Sequence, residues 1–210
     1  MAKEEKEIAA LAQFLPDGAF VLVAPFFSKY AIFLTLTRER KSVHGDYRSP
    51  AAGSNAHRIS VNITLNKYSF LVTLLHELAH LTAFVAYKNK IAPHGAEWKA
   101  HFRDILLPFL AAKVFPQDVH AAIAQYLKDP AASTCTDPVL YKTLRRYDAK
   151  KEGWILMEDV AIGSTFQTAD GRRFVKLEKR RTRSKCREIA SGRMYLFSAL
   201  AEVMVMSGTA

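Results

Sequence analysis

The chain has 210 residues, half of them hydrophobic and 24% charged, an ordinary globular composition that excludes an intrinsically disordered or collagen-like chain. Thirty Lys and Arg against twenty Asp and Glu leave a net charge of +10, which suits a polyanionic partner and equally a soluble surface. Two cysteines, Cys135 and Cys186, exclude a disulfide-dense scaffold and a four-cysteine metal site; with an N-terminus charged in both signs, the expectation is a soluble, reduced, cytoplasmic protein without a membrane anchor.

Glu4 to Leu15 places Ile8, Leu11 and Leu15 at helical spacing and stops at Pro16-Asp17-Gly18, predicting a short amphipathic helix. The apolar stretch Ala19 to Thr37 is broken by Pro25, Ser28 and Lys29 and falls short of a membrane span. Its second half, Tyr30 to Thr37, is rich in β-branched and aromatic residues and, with Ser42 to Tyr47 after a charged turn, predicts a hairpin. Pro50 to Asn55 is a turn cluster, and Arg58 to Leu65 alternates apolar and polar residues as a strand with one buried face does. Lys67 to about Lys90 contains neither Pro nor Gly and repeats apolar residues on a 3.6-residue period, the clearest helix in the chain. Pro93 stops it, and helical patterns resume over Gly95 to Ala112, Asp118 to Leu127 and Pro138 to Tyr147.

Lys128 to Pro138 reads as a connector, and all eight prolines lie at or before Pro138. Beyond Gly153 the pattern becomes β-like: Trp154 to Ile162 alternates, Asp170-Gly171 marks a hairpin between Phe166 and Phe174, and Ser191-Gly192 marks a turn before Tyr195-Leu196-Phe197. The expected class is therefore α+β. Its expected division is a first, mixed α and β domain over 1–138, a connector helix and linker over 139–152, and a small all-β module over 153–210.

Chemistry concentrates in His76-Glu77-Leu78-Ala79-His80, inside the clearest helix. Histidines at i and i+4 project from one helix face, so both imidazoles reach a single ion, while Glu77 reaches a water on it. With seven His in the chain, the motif arises by accident in roughly one chain of this size in 80. Its neighbours Leu74, Leu75, Leu78, Ala79, Leu81 and Phe84 are apolar, and two His and a Glu buried among them cost several kcal/mol unless a metal compensates. A catalytic zinc needs a third ligand and one open position. His94, between Pro93 and Gly95 where the chain turns back, is the natural third ligand.

The strand Arg58–Leu65, then Thr73-Leu74-Leu75-His76-Glu77-Leu78-Ala79-His80, then His94-Gly95-Ala96-Glu97-Trp98 together resemble the SprT-like metalloprotease family. The resemblance runs from about Tyr30 to Phe109. It implies a reduced zincin core with a small antiparallel sheet, one Zn2+ held by His76, His80 and His94, Glu77 as general base, and hydrolysis of peptide bonds in protein or peptide substrates. Relatives in that family include the Spartan proteases, which degrade proteins crosslinked to DNA. Many members carry a zinc ribbon after the core; with only Cys186 in that region, the tail resembles instead the cysteine-poor, SH3-like β extension of some bacterial members.

On this reading the strand Arg58–Leu65 is expected to pair with an extended substrate. Tyr68, Tyr87 and His101 are the candidates for stabilising the oxyanion, His101 lying seven residues after His94. Trp98 and Phe102 read as core, and His44, His57 and His120 as structural or solvated.

The charge is uneven: residues 1–138 carry 15 basic and 12 acidic residues, residues 139–210 carry 15 and 8. Lys179, Arg181, Arg183, Lys185 and Arg187 recur at every second position, which on a single strand puts all five on one face, suited to the phosphates of DNA without base readout. The rival to the protease reading is a nucleic-acid-binding protein with a structural or inactive zinc site. A metal-dependent hydrolase of a non-peptide substrate shares every ligand.

Overall fold

The computed structural model describes residues 9–38, 43–128, 130 and 137–206. The first half of the expected Glu4–Leu15 helix, Ser42 of the expected hairpin, most of the Lys128–Pro138 connector and Cys135 lie outside the described residues. The chain forms two compact units, residues 1–149 and 150–210.

In the first unit a 3-10 turn at Leu11–Phe14 precedes helix α1 (Ala19–Lys29). Gly18 starts α1 at φ 77°, in the left-handed region that glycine enters without steric cost. The sequence pattern hid this helix because Pro25 stands inside it. The ring removes one backbone hydrogen bond, but Ala19 and Val23 are buried in the core and hold the turn either side of it.

Strands β1 (Ile32–Thr37), β2 (Gly45–Arg48) and β3 (His57–Asn62) form a three-stranded sheet in the order β1-β3-β2. The sheet is mixed rather than antiparallel, and the expected β1–β2 hairpin does not form. β3 inserts between them, parallel to β1 in the register Ile32↔His57 and antiparallel to β2 in the register Tyr47↔Ile59. The physical reason is burial: His57, Ile59 and Val61 alternate onto one covered face, so the most buried strand takes the centre. β3 ends at Asn62, short of the expected Leu65, where the Thr37 hydroxyl donates to Asn62 Oδ1 (2.9 Å) and Asn62 Nδ2 donates to the Val43 carbonyl (3.0 Å).

Helix α2 (Lys67–Tyr87) crosses the sheet with twelve buried residues, from Phe70 to Ala83. Asn66 caps it, its side-chain oxygen accepting from the amides of Tyr68 and Ser69 at 3.0 Å each. Asn66 Nδ2 also donates to the Leu144 carbonyl (3.0 Å) and to Asp148 (2.6 Å). Helices α3 (Ala96–Ala111), α4 (Gln117–Tyr126) and α5 (Pro138–Arg145) complete the unit, with Leu140 and Leu144 of α5 in the same core. Among the described residues α2 alone is long and apolar enough to cross a bilayer, and 67% of its most apolar window is buried within the fold.

The second unit is a six-stranded antiparallel sheet in the order β4-β9-β5-β6-β7-β8, built from β4 (Trp154–Leu156), β5 (Thr165–Gln167), β6 (Arg173–Lys179), β7 (Arg183–Glu188), β8 (Met194–Ser198) and β9 (Glu202–Val205). Both expected turns form: Asp170-Gly171 joins β5 to β6 and Ser191-Gly192 joins β7 to β8. Phe166 and Phe174, cross-strand partners, stack with ring centroids 5.5 Å apart over a core that includes Met157, Val160, Cys186 and Val203. The fully buried Lys176 donates its ammonium to the carbonyls of Met157 (2.8 Å) and Val160 (2.6 Å), which satisfies a cation that burial would otherwise neutralise.

The five-residue basic stripe does not lie on one strand. The chain turns over Arg180 to Thr182, with Arg180 N donating to the Arg183 carbonyl at 2.7 Å, so Lys179 ends β6, Arg181 sits in the turn, and only Arg183, Lys185 and Arg187 share a face. Burial sets the bend: Phe174 and Cys186 must meet on the inner face, and their register, Phe174↔Glu188 and Lys176↔Cys186, fixes where the hairpin turns.

Candidate metal centre

Helical spacing brings His76 and His80 to one face of α2. The third imidazole arrives from outside the helix. Lys88 ends α2 at φ 56°, and His94 adopts φ 58° in the loop that reverses the chain into α3. A left-handed backbone at a non-glycine residue is uncommon and costs about 1 kcal/mol or more; here it aims the side chain back at α2. Gly95 follows because a Cβ there would meet the Ala92 carbonyl oxygen at 3.0 Å.

The three Nε2 atoms converge: His76 to His94 is 3.1 Å, His76 to His80 3.2 Å, and His80 to His94 3.0 Å. They form a group that can hold a metal ion. The fold thus brings His94, the residue expected as third ligand, beside His76 and His80. Burial holds His76 neutral, with its pKa pushed down to about 3, and does the same to His80, at about 4; His94 is lowered as well, again by burial. Three neutral imidazoles present three lone pairs, the form in which histidine binds a metal.

Trp98 underlies all three. Its ring centroid is 4.6 Å from those of His76 and His94 and 5.1 Å from that of His80, and it stacks on Phe102 at 5.1 Å. Glu77 is buried beside them, and Gly45 of β2 is the backbone against it: a Cβ at that position would stand 2.5 Å from Glu77 Oε1.

The stretch from Pro25 to Asp118 matches a family model that spans this whole arrangement. Residues 25–118 match the SprT-like family. No curated protein and no solved structure matches the chain. The SprT-like segment contains β1 to β3, α2 and α3, hence Glu77 and all three histidines, and stops before the six-stranded unit. The match suggests metallopeptidase-type chemistry.

The three oxyanion candidates lie elsewhere in the matched segment. Tyr68, in the first turn of α2, packs against Phe115 and Tyr147. Tyr87, at the far end of α2, meets the edge of His101, whose Nδ1 is 3.0 Å from the Thr82 hydroxyl. Thr82 is two residues past His80, so it turns away from the metal face; His101 lines instead an apolar cleft of about 350 Å3 with Val21, Pro25, Phe26 and Pro108.

The residue the sequence pattern missed is Tyr47. Its ring is parallel to His80, 7° between planes at 6.2 Å, and its hydroxyl lies 2.9 Å from Nδ1 of the buried His57. No local spacing relates residue 47 to residue 80, so only the sheet pairing could reveal the contact.

The substrate strand also needs correction. β3 is hydrogen-bonded on both sides and has no open edge for a peptide. Among the described residues β2 pairs only with β3. The His44 carbonyl accepts from Asn62 N (2.9 Å), and antiparallel alternation then turns the backbone groups of Gly45 and Tyr47 to the open edge, beside the metal face.

Proposed function

We propose that the chain is a zinc-dependent endopeptidase of the SprT-like type. The observation that carries this reading is the convergence of three neutral imidazoles, their Nε2 atoms 3.0–3.2 Å apart. Tetrahedral zinc with bonds of about 2.0–2.1 Å separates its nitrogen ligands by roughly 3.3–3.4 Å, so the donor set fits within a few tenths of an ångström. Three protein ligands leave a fourth position, the signature of a catalytic site; structural zinc sites close all four. When bound, the ion supplies Lewis acidity toward a scissile carbonyl and acidifies a water to a pKa of about 7.

The chain's own residues do the rest. Glu77, adjacent to His76 on α2, accepts the proton of the attacking water and passes it to the departing amine. An extended peptide laid along β2 hydrogen-bonds to the amides and carbonyls of Gly45 and Tyr47, which aligns its backbone with the metal face. Backbone pairing reads little side-chain identity, so cleavage is broad in sequence.

Glu77→Gln tests this directly. It is expected to retain one zinc per chain and lose cleavage of an unfolded protein substrate by at least about a hundredfold, while His76→Ala loses the zinc. Undiminished cleavage by Glu77→Gln sinks the general-base assignment; zinc bound without any cleavage in the unmodified chain favours the nucleic-acid-binding alternative.

The six-stranded unit extends the reading to substrates associated with DNA. Arg183, Lys185 and Arg187 project from the face opposite Ser184, Cys186 and Glu188, and none of the three forms an ion pair among the described residues. Contacts of this kind to phosphate release counterions and weaken steeply with salt. Lys185→Glu with Arg187→Glu is expected to flatten the salt dependence of binding to a single-stranded oligonucleotide by about two units in log–log slope. Binding that ignores salt, or none at all, removes this part of the proposal.

A further inference from the structure

The side chains of Tyr47 and His57 take no part in the chemistry above, yet they border it. Tyr47 lies on β2, half-buried, with its ring parallel to the His80 imidazole and in contact with Phe84. His57 opens β3, 7% exposed, with its backbone amide donating to the Ala31 carbonyl at 2.7 Å and its ring edge-on to Tyr30 and Phe84. The phenol is thus held at both ends: by the β2–β3 register at its backbone and by the 2.9 Å hydrogen bond to His57 Nδ1 at its hydroxyl.

An imidazole on a helix keeps two soft torsions, and a metal ligand is useful only while its lone pair stays aimed. His76 is packed against both Trp98 and Phe102, whereas His80 has Trp98, tilted by 36°, and the parallel plane of Tyr47. From these contacts we propose that Tyr47, anchored by His57, is a positioning residue that fixes the plane of the His80 imidazole for metal binding. The assignment rests on the metallopeptidase reading. A direct proton-transfer role fits poorly, since the hydroxyl is already engaged with His57 and burial keeps the phenol protonated well above its ordinary range.

Zinc affinity of the full chain, read by chelator competition, and the visible spectrum of the Co2+-loaded chain test this without using activity. Tyr47→Leu keeps apolar volume and loses the plane; it is expected to weaken zinc about 10- to 100-fold, the effect typical of groups that orient a ligand, and to shift the Co2+ bands. Tyr47→Phe keeps the ring but loses the hydrogen bond to His57, and is expected to fall between Tyr47→Leu and the unmodified chain. His57→Leu removes the same bond from its other end, is expected to match Tyr47→Phe, and serves if Tyr47→Leu does not fold. Unmodified affinity and spectrum in a folded Tyr47→Leu, or in His57→Leu, overturn the assignment. An unmodified chain that takes up no zinc overturns the metallopeptidase reading itself.

Discussion

Gly45 on β2 and Glu77 on α2 are in backbone-to-side-chain contact so close that a Cβ on Gly45 would stand 2.5 Å from Oε1, 3.0 Å from Cγ of Glu77 and 2.7 Å from Cγ2 of Thr73. Strand and helix can pass at this distance only where one of them has no side chain. Gly45→Ala must therefore push the carboxylate or lift the strand. The expected result is a destabilisation of about 1–3 kcal/mol and a loss of kcat of tenfold or more, with one zinc still bound. Metal content, a thermal melt and a cleavage assay on one preparation check all three; unaltered kcat would show that Glu77 tolerates the displacement.

Trp98 carries an indole Nε1 that is buried and has no hydrogen-bond partner among the described residues. An unsatisfied buried donor costs about 1–3 kcal/mol, so the ring is kept for its face and not for its nitrogen. Trp98→Phe is expected to hold stability within about 1 kcal/mol, the lost volume offset by the removed donor, and to bind zinc nearly as well. Trp98→Ala opens the floor under three imidazoles and is expected to cost about 3–5 kcal/mol. Denaturant melts of the metal-free variants separate the two. Equal losses in both would show that the nitrogen does matter.

Asn66 is expected to be the most sensitive capping residue. It satisfies two amides at the start of α2 and ties that start to the end of α5 through Leu144 and Asp148. Asn66→Ala should cost about 1–2 kcal/mol, seen as a lower denaturation midpoint, and Asn66→Asp should keep the cap while losing the donor to Leu144. A midpoint unchanged in Asn66→Ala would mean the cap is replaced by water.

Acid sensitivity of the six-stranded unit should trace to Glu188. Its carboxylate accepts from Arg172 Nε at 2.7 Å and from the Ser191 hydroxyl, and the Arg172 bond first of all holds its pKa below the ordinary value of 4.5. A carboxyl lowered in the folded state stabilises fully above the unfolded value and loses that contribution as pH falls below about 4.5 toward the depressed one. Hydrogen-exchange protection of residues 172–195, taken relative to the intrinsic rate at each pH, should therefore fall below that pH in the unmodified chain. Glu188→Gln should exchange faster at neutral pH and show a smaller change on acidification. An identical pH response in both proteins would remove Glu188 as the cause.

What was legible in the sequence was what depends on near neighbours along the chain. The i, i+4 placement of His76 and His80 and the helix around them follow from the 3.6-residue period, and the two C-terminal hairpins follow from Asp170-Gly171 and Ser191-Gly192. His94 was readable as the third member of the histidine cluster because the chain must turn between Pro93 and Gly95. Tertiary structure decided the rest. Helix α1 survives its internal Pro25 because Ala19 and Val23 find a core to bury into. β3 takes the centre of the sheet, which closes it to substrate and passes the open edge to β2, because a strand's place is set by what covers its two sides and not by its own alternation. The basic run bends at Arg180–Thr182 because Phe174 and Cys186 share an inner face. Tyr47 meets His80 across 33 residues of chain, a contact written in no local pattern, since it exists only once sheet and helix have packed.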